Sequence, residues 1–129
     1  MPVVTLSKDN FKETIEKDGI VLIDWWAPWC GPCRAFGPVY EKVAGANPDL
    51  TFAKVNTDEE QELGGAFNIQ SIPTLMIFRD RVLLFAQPGA MPQTMLEDVV
   101  KKVRELDMEQ VRAEIAKQQA QSEEQPPPV

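Results

Sequence analysis

Two thiols stand three positions apart, Cys30 and Cys33, and they are the only cysteines among 129 residues. They lie in the stretch Trp29-Cys30-Gly31-Pro32-Cys33. In the chain-entropy model, a bridge closing so short a loop constrains the unfolded chain by only about 2 kcal/mol. Longer loops give more, so the pair is poorly placed to act as a staple and well placed for thiol–disulfide chemistry. The thiolate, not the thiol, carries that chemistry, and the nucleophile's pKa must therefore fall. A helix that begins at Cys30 supplies the means, because its unpaired N–H groups and its macrodipole favour negative charge. Gly31 lets the backbone turn tightly and leaves the sulfur uncovered. Pro32 fixes φ near the helix start, where no backbone donor is needed.

A third ionisable group sits close by in sequence. Asp24 interrupts the apolar run Ile20 to Trp26 (IVLIDWW), where an ionised carboxylate is desolvated at considerable cost. Burial raises a carboxyl pKa, which suits Asp24 to accept the proton of Cys33 when that thiol must become a nucleophile. Its place near the strand end equally allows it to cap a turn. Lys54, on the next strand, either holds the Asp24 charge or is a solvated strand lysine. The residues alone leave both alternatives open.

Composition narrows the partners. The chain is 43% hydrophobic and 26% charged, with a formal net charge of −7 and no histidine. Nucleic acid and anionic membranes are bound through Lys and Arg clusters, and no such patch is present. With only two cysteines and no histidine, a closed four-ligand zinc site within one chain is not expected. The start MPVVTLSKDNF has neither a charged n-region nor an apolar h-region, and no apolar run approaches membrane-spanning length. The expectation is a cytoplasmic protein, where structural disulfides are rare and a close cysteine pair is catalytic.

The elements that must position these groups follow from periodicity and punctuation. Residues 3–6 read as a strand, and Ser7 as the N-cap of a helix through about Lys17, ended by Gly19. The run 20–26 reads as a central strand covered on both faces. A helix follows from the cysteines to about Gly45, with Pro38 inside it. Further elements are a strand at 51–56, a helix near 60–67, two strands at 74–78 and 82–86 joined as a hairpin, and a helix at 94–106. This βαβαβαββα order implies a mixed α/β sheet with helices on both faces. Beyond Leu106, Asp107 and Gln110 resemble a capping box opening a short surface helix near 108–119. The stretch QSEEQPPPV, residues 121–129, reads as a disordered tail.

At this point the chain resembles the thioredoxin family. Trp29 to Cys33 matches that family's active-site motif letter for letter, and Asp24, Lys54, Ile72 to Thr74 and Gly89 match in order and spacing. The resemblance spans residues 1–106, one thioredoxin domain, leaving 107–120 as an extra surface helix. It implies the thioredoxin fold, a central mixed β-sheet flanked by helices on both faces, and a protein-disulfide reductase with a redox-active Cys30–Cys33 disulfide. Cys30 is then the attacking thiolate, Cys33 the resolving thiol, Asp24 its base, and Lys54 the partner of Asp24. Gly31 and Pro32 tune the redox pair, and the Gly-Pro spacer points to a reductant. Pro73 is expected in the cis form, facing the cysteines, with the Ile72 backbone presented to an extended substrate. Trp29, Gly31, Pro32, Ile72, Gly89 and Ala90 are expected to form a flat apolar collar around Cys30, while Trp25 and Trp26 pack in the core. The implied partners are disulfide-containing proteins and a thioredoxin reductase. Neither a cofactor nor a metal is implied, and a monomer is expected.

Two departures from the family pattern stand out. Arg81 occupies the hairpin position where glycine is usual, so either a non-glycine residue takes φ > 0 at about 1 kcal/mol or the turn changes type. Pro88 removes a backbone donor beside the substrate groove. The rival reading is a binding or assembly module on the same fold with incidental thiols. Reduction of insulin by the wild type and by Cys30→Ser separates the two.

Overall fold

The computed structural model describes residues 2–124. Its elements are β1 (Val3–Thr5), α1 (Phe11–Ile15), β2 (Ile20–Trp26), α2 (Gly31–Ala46), β3 (Thr51–Asn56), α3 (Gln61–Ala66), β4 (Thr74–Arg79), β5 (Val82–Pro88), α4 (Gln93–Glu105) and α5 (Met108–Glu124). The strands form one sheet in the order β1-β3-β2-β4-β5. β1, β3 and β2 run parallel, and β4 and then β5 add antiparallel. This is the thioredoxin fold that the resemblance implies.

β2 lies at the centre with partners on both sides, which explains its nearly continuous burial from Ile20 to Trp25. Successive side chains still alternate between faces. Leu22 joins Phe36, Tyr40, Phe52, Leu75 and Leu96 in the core beneath α2 and α4. Val21, Ile23 and Trp25 join Phe11, Val55 and Met76 on the α1 and α3 side. The alternation puts Asp24 and Trp26 on the α2 face with Ile20 and Leu22. Phe52 marks the same face of β3, so Lys54 lies there too.

Two elements, α1 and α5, differ from the sequence reading, and the hairpin turn takes one of the two forms it allowed. α1 is shorter at both ends, because Ser7 caps a preceding turn rather than the helix. Its carbonyl accepts the N–H groups of Asn10 and Phe11 at 3.2 and 3.0 Å, and Asn10 becomes the N-cap. The Asp80-Arg81 hairpin turn keeps the left-handed geometry without glycine, with φ of 50° and 72°. Local bonds offset that strain: Asp80 Oδ1 accepts the Gly19 N–H at 2.8 Å, and Arg81 pairs with Asp18. α5 runs through Glu124 rather than ending near 119. No glycine or proline interrupts residues 108–124, and Ala, Gln, Glu and Lys are good helix formers. The tail was expected to be disordered from 121. Residues 121–124 are helical instead, and 125–129 lie outside the described residues.

Candidate active site

β2 delivers the chain to one end of the sheet, and Ala27 to Trp29 carry it to the start of α2. Cys30 is the N-cap, with extended φ and ψ of −83° and 113°, and its Sγ accepts the Cys33 N–H at 3.2 Å. Pro32 lies in the first turn, where its missing donor leaves nothing unpaired. Cys30 and Cys33 are joined in a disulfide with Cα atoms 5.2 Å apart. Both are buried, yet Gly31 and Pro32 between them are exposed. The sulfurs therefore lie just under an open backbone turn.

The second wall comes from the segment before β4. The Ile72–Pro73 peptide is cis, and the Ile72 carbonyl oxygen stands 3.7 Å from Cys30 Sγ. Ile72 and Trp26 pack against Ala27, Cys30 and Cys33. Gly89 closes the wall: its N–H donates to the Pro73 carbonyl at 2.7 Å, at a φ of +102° that favours glycine. Ala90 follows it, exposed, and no bond ties it to the cysteine pair. Trp29 is 67% exposed, and its indole N–H is shared between the two carboxylate oxygens of Asp58 at 3.1 and 3.0 Å. The sequence reading missed Asp58. Nothing in the sequence marked it, because an exposed indole N–H can be satisfied by water and Asp58 lies 29 residues away.

Beneath the disulfide lies a cavity of about 180 Å³, lined by Asp24, Trp26, Cys33, Tyr40 and Lys54 with Val3, Arg34, Gly37 and Glu41. Asp24 is 4% exposed, and among the described residues its Oδ1 has no hydrogen-bond partner. Burial pushes its pKa up to about 7, and the Lys54 ammonium offsets only part of that rise. Asp24 and Lys54 are opposite each other in the β2–β3 register. Tyr40 was also missed, although the stripe Cys33, Phe36, Tyr40, Val43 along α2 marks its face. Its hydroxyl donates to the Ala53 carbonyl at 2.7 Å, and burial raises its pKa well above the usual phenol value.

One expectation needs correction. Trp25 is a core residue, fully buried against Phe11 and Phe67, but Trp26 is not. It is half-buried, packs on the cysteine pair and lines the Asp24 cavity. The alternation that sends Trp25 to the α1 face sends its neighbour to the site. Among the described residues no group of three His, Cys, Asp or Glu side chains is disposed to hold a metal ion, and no helix is long and apolar enough to cross a membrane.

The thioredoxin family model matches residues 2–102. Thioredoxin 2 of Streptomyces coelicolor is 58% identical over 119 residues, which cover 92% of this chain and 89% of that protein. A match of that length takes in most of α5. A thioredoxin of Alicyclobacillus acidocaldarius is 43% identical over 103 residues, 76% of this chain and 98% of its own. Among solved structures, a thioredoxin variant from Halobacterium salinarum superposes with a TM-score of 0.74 at 29% identity, covering 81% of this chain and 93% of that one. The chain belongs to the thioredoxin family. It is a protein-disulfide oxidoreductase, and Cys30 and Cys33 are its redox pair.

Proposed function

We propose that the protein works as a reductant of protein disulfides in the cytoplasm, as a monomer, and is returned to its dithiol form by a separate thioredoxin reductase. The Cys30 thiolate attacks one sulfur of a target disulfide, and the other target sulfur leaves as a thiol. Cys33 then loses its proton to Asp24 and attacks Cys30 Sγ, releasing the second target thiol and leaving the Cys30–Cys33 disulfide. Two electrons pass from the protein to the target, and the reductase resupplies them. Gly31 and Pro32 keep the turn over the Cys30 sulfur open to an incoming disulfide. Trp29, Ile72, Pro73, Gly89 and Ala90 receive the target as an extended segment beside Cys30, with main-chain bonding at Ile72.

The observation that carries this reading is the shared cavity: the Cys33 side chain and a carboxyl whose pKa stands near 7 line one space. A base matched to the working pH is the most effective proton acceptor, and a cavity of this size has room for water to carry the proton. Insulin reduction supplies the test. Wild type is expected to be active and Cys30→Ser inactive, with a reduction potential in the range of reducing thioredoxins rather than of oxidases. A Cys33→Ser variant should hold its targets as mixed disulfides, because the resolving thiol is gone.

A further inference from the structure

Asp24 and Lys54 are register partners on adjacent parallel strands, and alternation puts both on the face that packs α2. A carboxylate and an ammonium so placed ordinarily close into an ion pair. Here they do not: no Asp24–Lys54 pair is present among the ion pairs of the described residues. Lys54 Nζ instead lies over the ring of Trp26, 5.4 Å from its centroid. An ammonium over an indole face gains about 0.5–2 kcal/mol, more as the site is desolvated. Over the ring the half-buried Lys54 keeps part of its hydration, whereas pairing with a carboxyl that is 4% exposed strips water from the ammonium, a penalty that offsets the Coulombic gain.

We propose that Trp26 is a positioning residue: its indole face holds the Lys54 ammonium off the Asp24 carboxyl, so that the two register partners stay unpaired. Trp26 reaches this position because it follows Asp24 by two residues on the same strand face. The consequence for Asp24 depends on what else faces it. α2 contributes Cys33, Arg34, Tyr40 and Glu41 around the cavity, β3 contributes Lys54, and β1 contributes the apolar Val3. On β4 the register partner is Leu75, also apolar. Cys33 is tied up in the disulfide. The Tyr40 hydroxyl is committed to Ala53, and Arg34 is exposed. The cation able to change the state of Asp24 is therefore Lys54. A directly paired ammonium lowers a carboxyl pKa by about 1–3 units, whereas the parked one leaves Asp24 near 7.

The inference deepens the proposed role of Asp24 as the base for Cys33, and it is tested where that role is not in play. In the oxidised full-length protein neither cysteine titrates, so the carboxyl carbon resonance of Asp24 reports its protonation directly. In Trp26→Leu the Asp24 midpoint is expected to fall by about one pH unit. In Trp26→Tyr, which keeps an aromatic face, it should stay in place. In a Lys54→Met background, Trp26→Leu should move nothing. An equal fall with Lys54 absent would mean that the indole acts only by excluding water, and an unmoved midpoint with Lys54 present would mean that it does not act at all. Either result overturns the proposal. Should Trp26→Leu fail to fold, the wild type decides: the Lys54 ε-protons are expected to show an upfield ring-current shift, and its absence is equally fatal. Failure of Asp24 as a base would appear separately, as an Asp24→Asn variant that resolves mixed disulfides at the wild-type rate.

Discussion

Asp58 accepts the Trp29 indole N–H on both carboxylate oxygens, at 3.1 and 3.0 Å, and its own N–H is fixed by Asn56 Oδ1 at 2.9 Å. An exposed tryptophan beside the nucleophile is thereby held in one orientation before any target arrives. Its apolar face is offered to the target without the ordering cost a free side chain would carry. A single hydrogen bond contributes about 1 kcal/mol, so Asp58→Ala should raise KM for a protein disulfide about fivefold. A small aromatic disulfide, which needs no docking face, should be reduced at nearly the wild-type rate. Equal losses on both substrates would show that Asp58 affects the chemistry and not the recognition.

Cys30 is expected to react before Cys33 when the reduced protein meets iodoacetamide at neutral pH. Cys30 caps α2 beneath the exposed Gly31 and Pro32, where the helix terminus favours its thiolate. Cys33 faces inward to the Asp24 cavity. Peptide mapping decides the order, and preferential labelling of Cys33 would reverse the assignment of attacking and resolving thiols.

Asp24→Asn should stabilise the fold, and by an amount that grows with pH. The carboxyl pKa rises from 3.8 to about 7 on folding, so between those values the folded state binds more protons than the unfolded one. Stability then falls as pH rises through that window. A shift of about three units corresponds to roughly 4 kcal/mol lost by pH 8. The Asn variant does not carry this loss, so its advantage in denaturant midpoint should be small near pH 4, widen towards pH 7 and level off above it. Part of the gain is offset by burying the amide. A variant less stable than wild type at pH 8 would identify Asp24 as a satisfied structural residue.

How much of this was legible in the chain depends on the range of the interaction. The C-x-x-C pair, the helix start and the apolar run of β2 are local patterns, and each lies where the periodicity puts it. The Asp24–Lys54 juxtaposition needed the register of β2 against β3, which the resemblance supplied and composition did not. Trp26 was assigned to the core by its apolarity, although the alternation that faces Asp24 towards α2 also carries Trp26 there. The hydrogen-bond roles of Asp58 and Tyr40 escaped for another reason. Their roles depend on partners 29 and 13 residues away, and neither stands in a recognisable motif. The start of α1 was misjudged because caps and turns compete locally, and a serine that can cap a helix can equally close a turn; α5 runs further because no glycine or proline stops it.

Removing everything after Leu106 should leave insulin reduction within about twofold of the full chain and cost at most roughly 2 kcal/mol. α5 meets the domain far from the disulfide. Arg112 lies 3.9 Å from Asp80 at the hairpin turn, while Pro73 and the cysteines sit beyond Thr74 at the other end of β4, about 17 Å away along the strand. Of the α5 side chains, Met108 is buried, with Val111 and Ile115 half-buried. One buried methionine contributes about 1.5–3 kcal/mol before the entropy of ordering the helix is subtracted. The exposed Arg112–Asp80 contact adds little. The cut also spares the cap of α4, because Arg79 donates to the carbonyls of Val103 and Leu106 at 2.8 and 3.0 Å, and both residues remain. The measurements are a denaturant melt and insulin turnover with a thioredoxin reductase as electron donor. If the shortened protein melts normally but loses most of its turnover with the reductase while keeping its rate with dithiothreitol, α5 is a docking element for the reductase. If it fails to fold, α5 is integral to the domain.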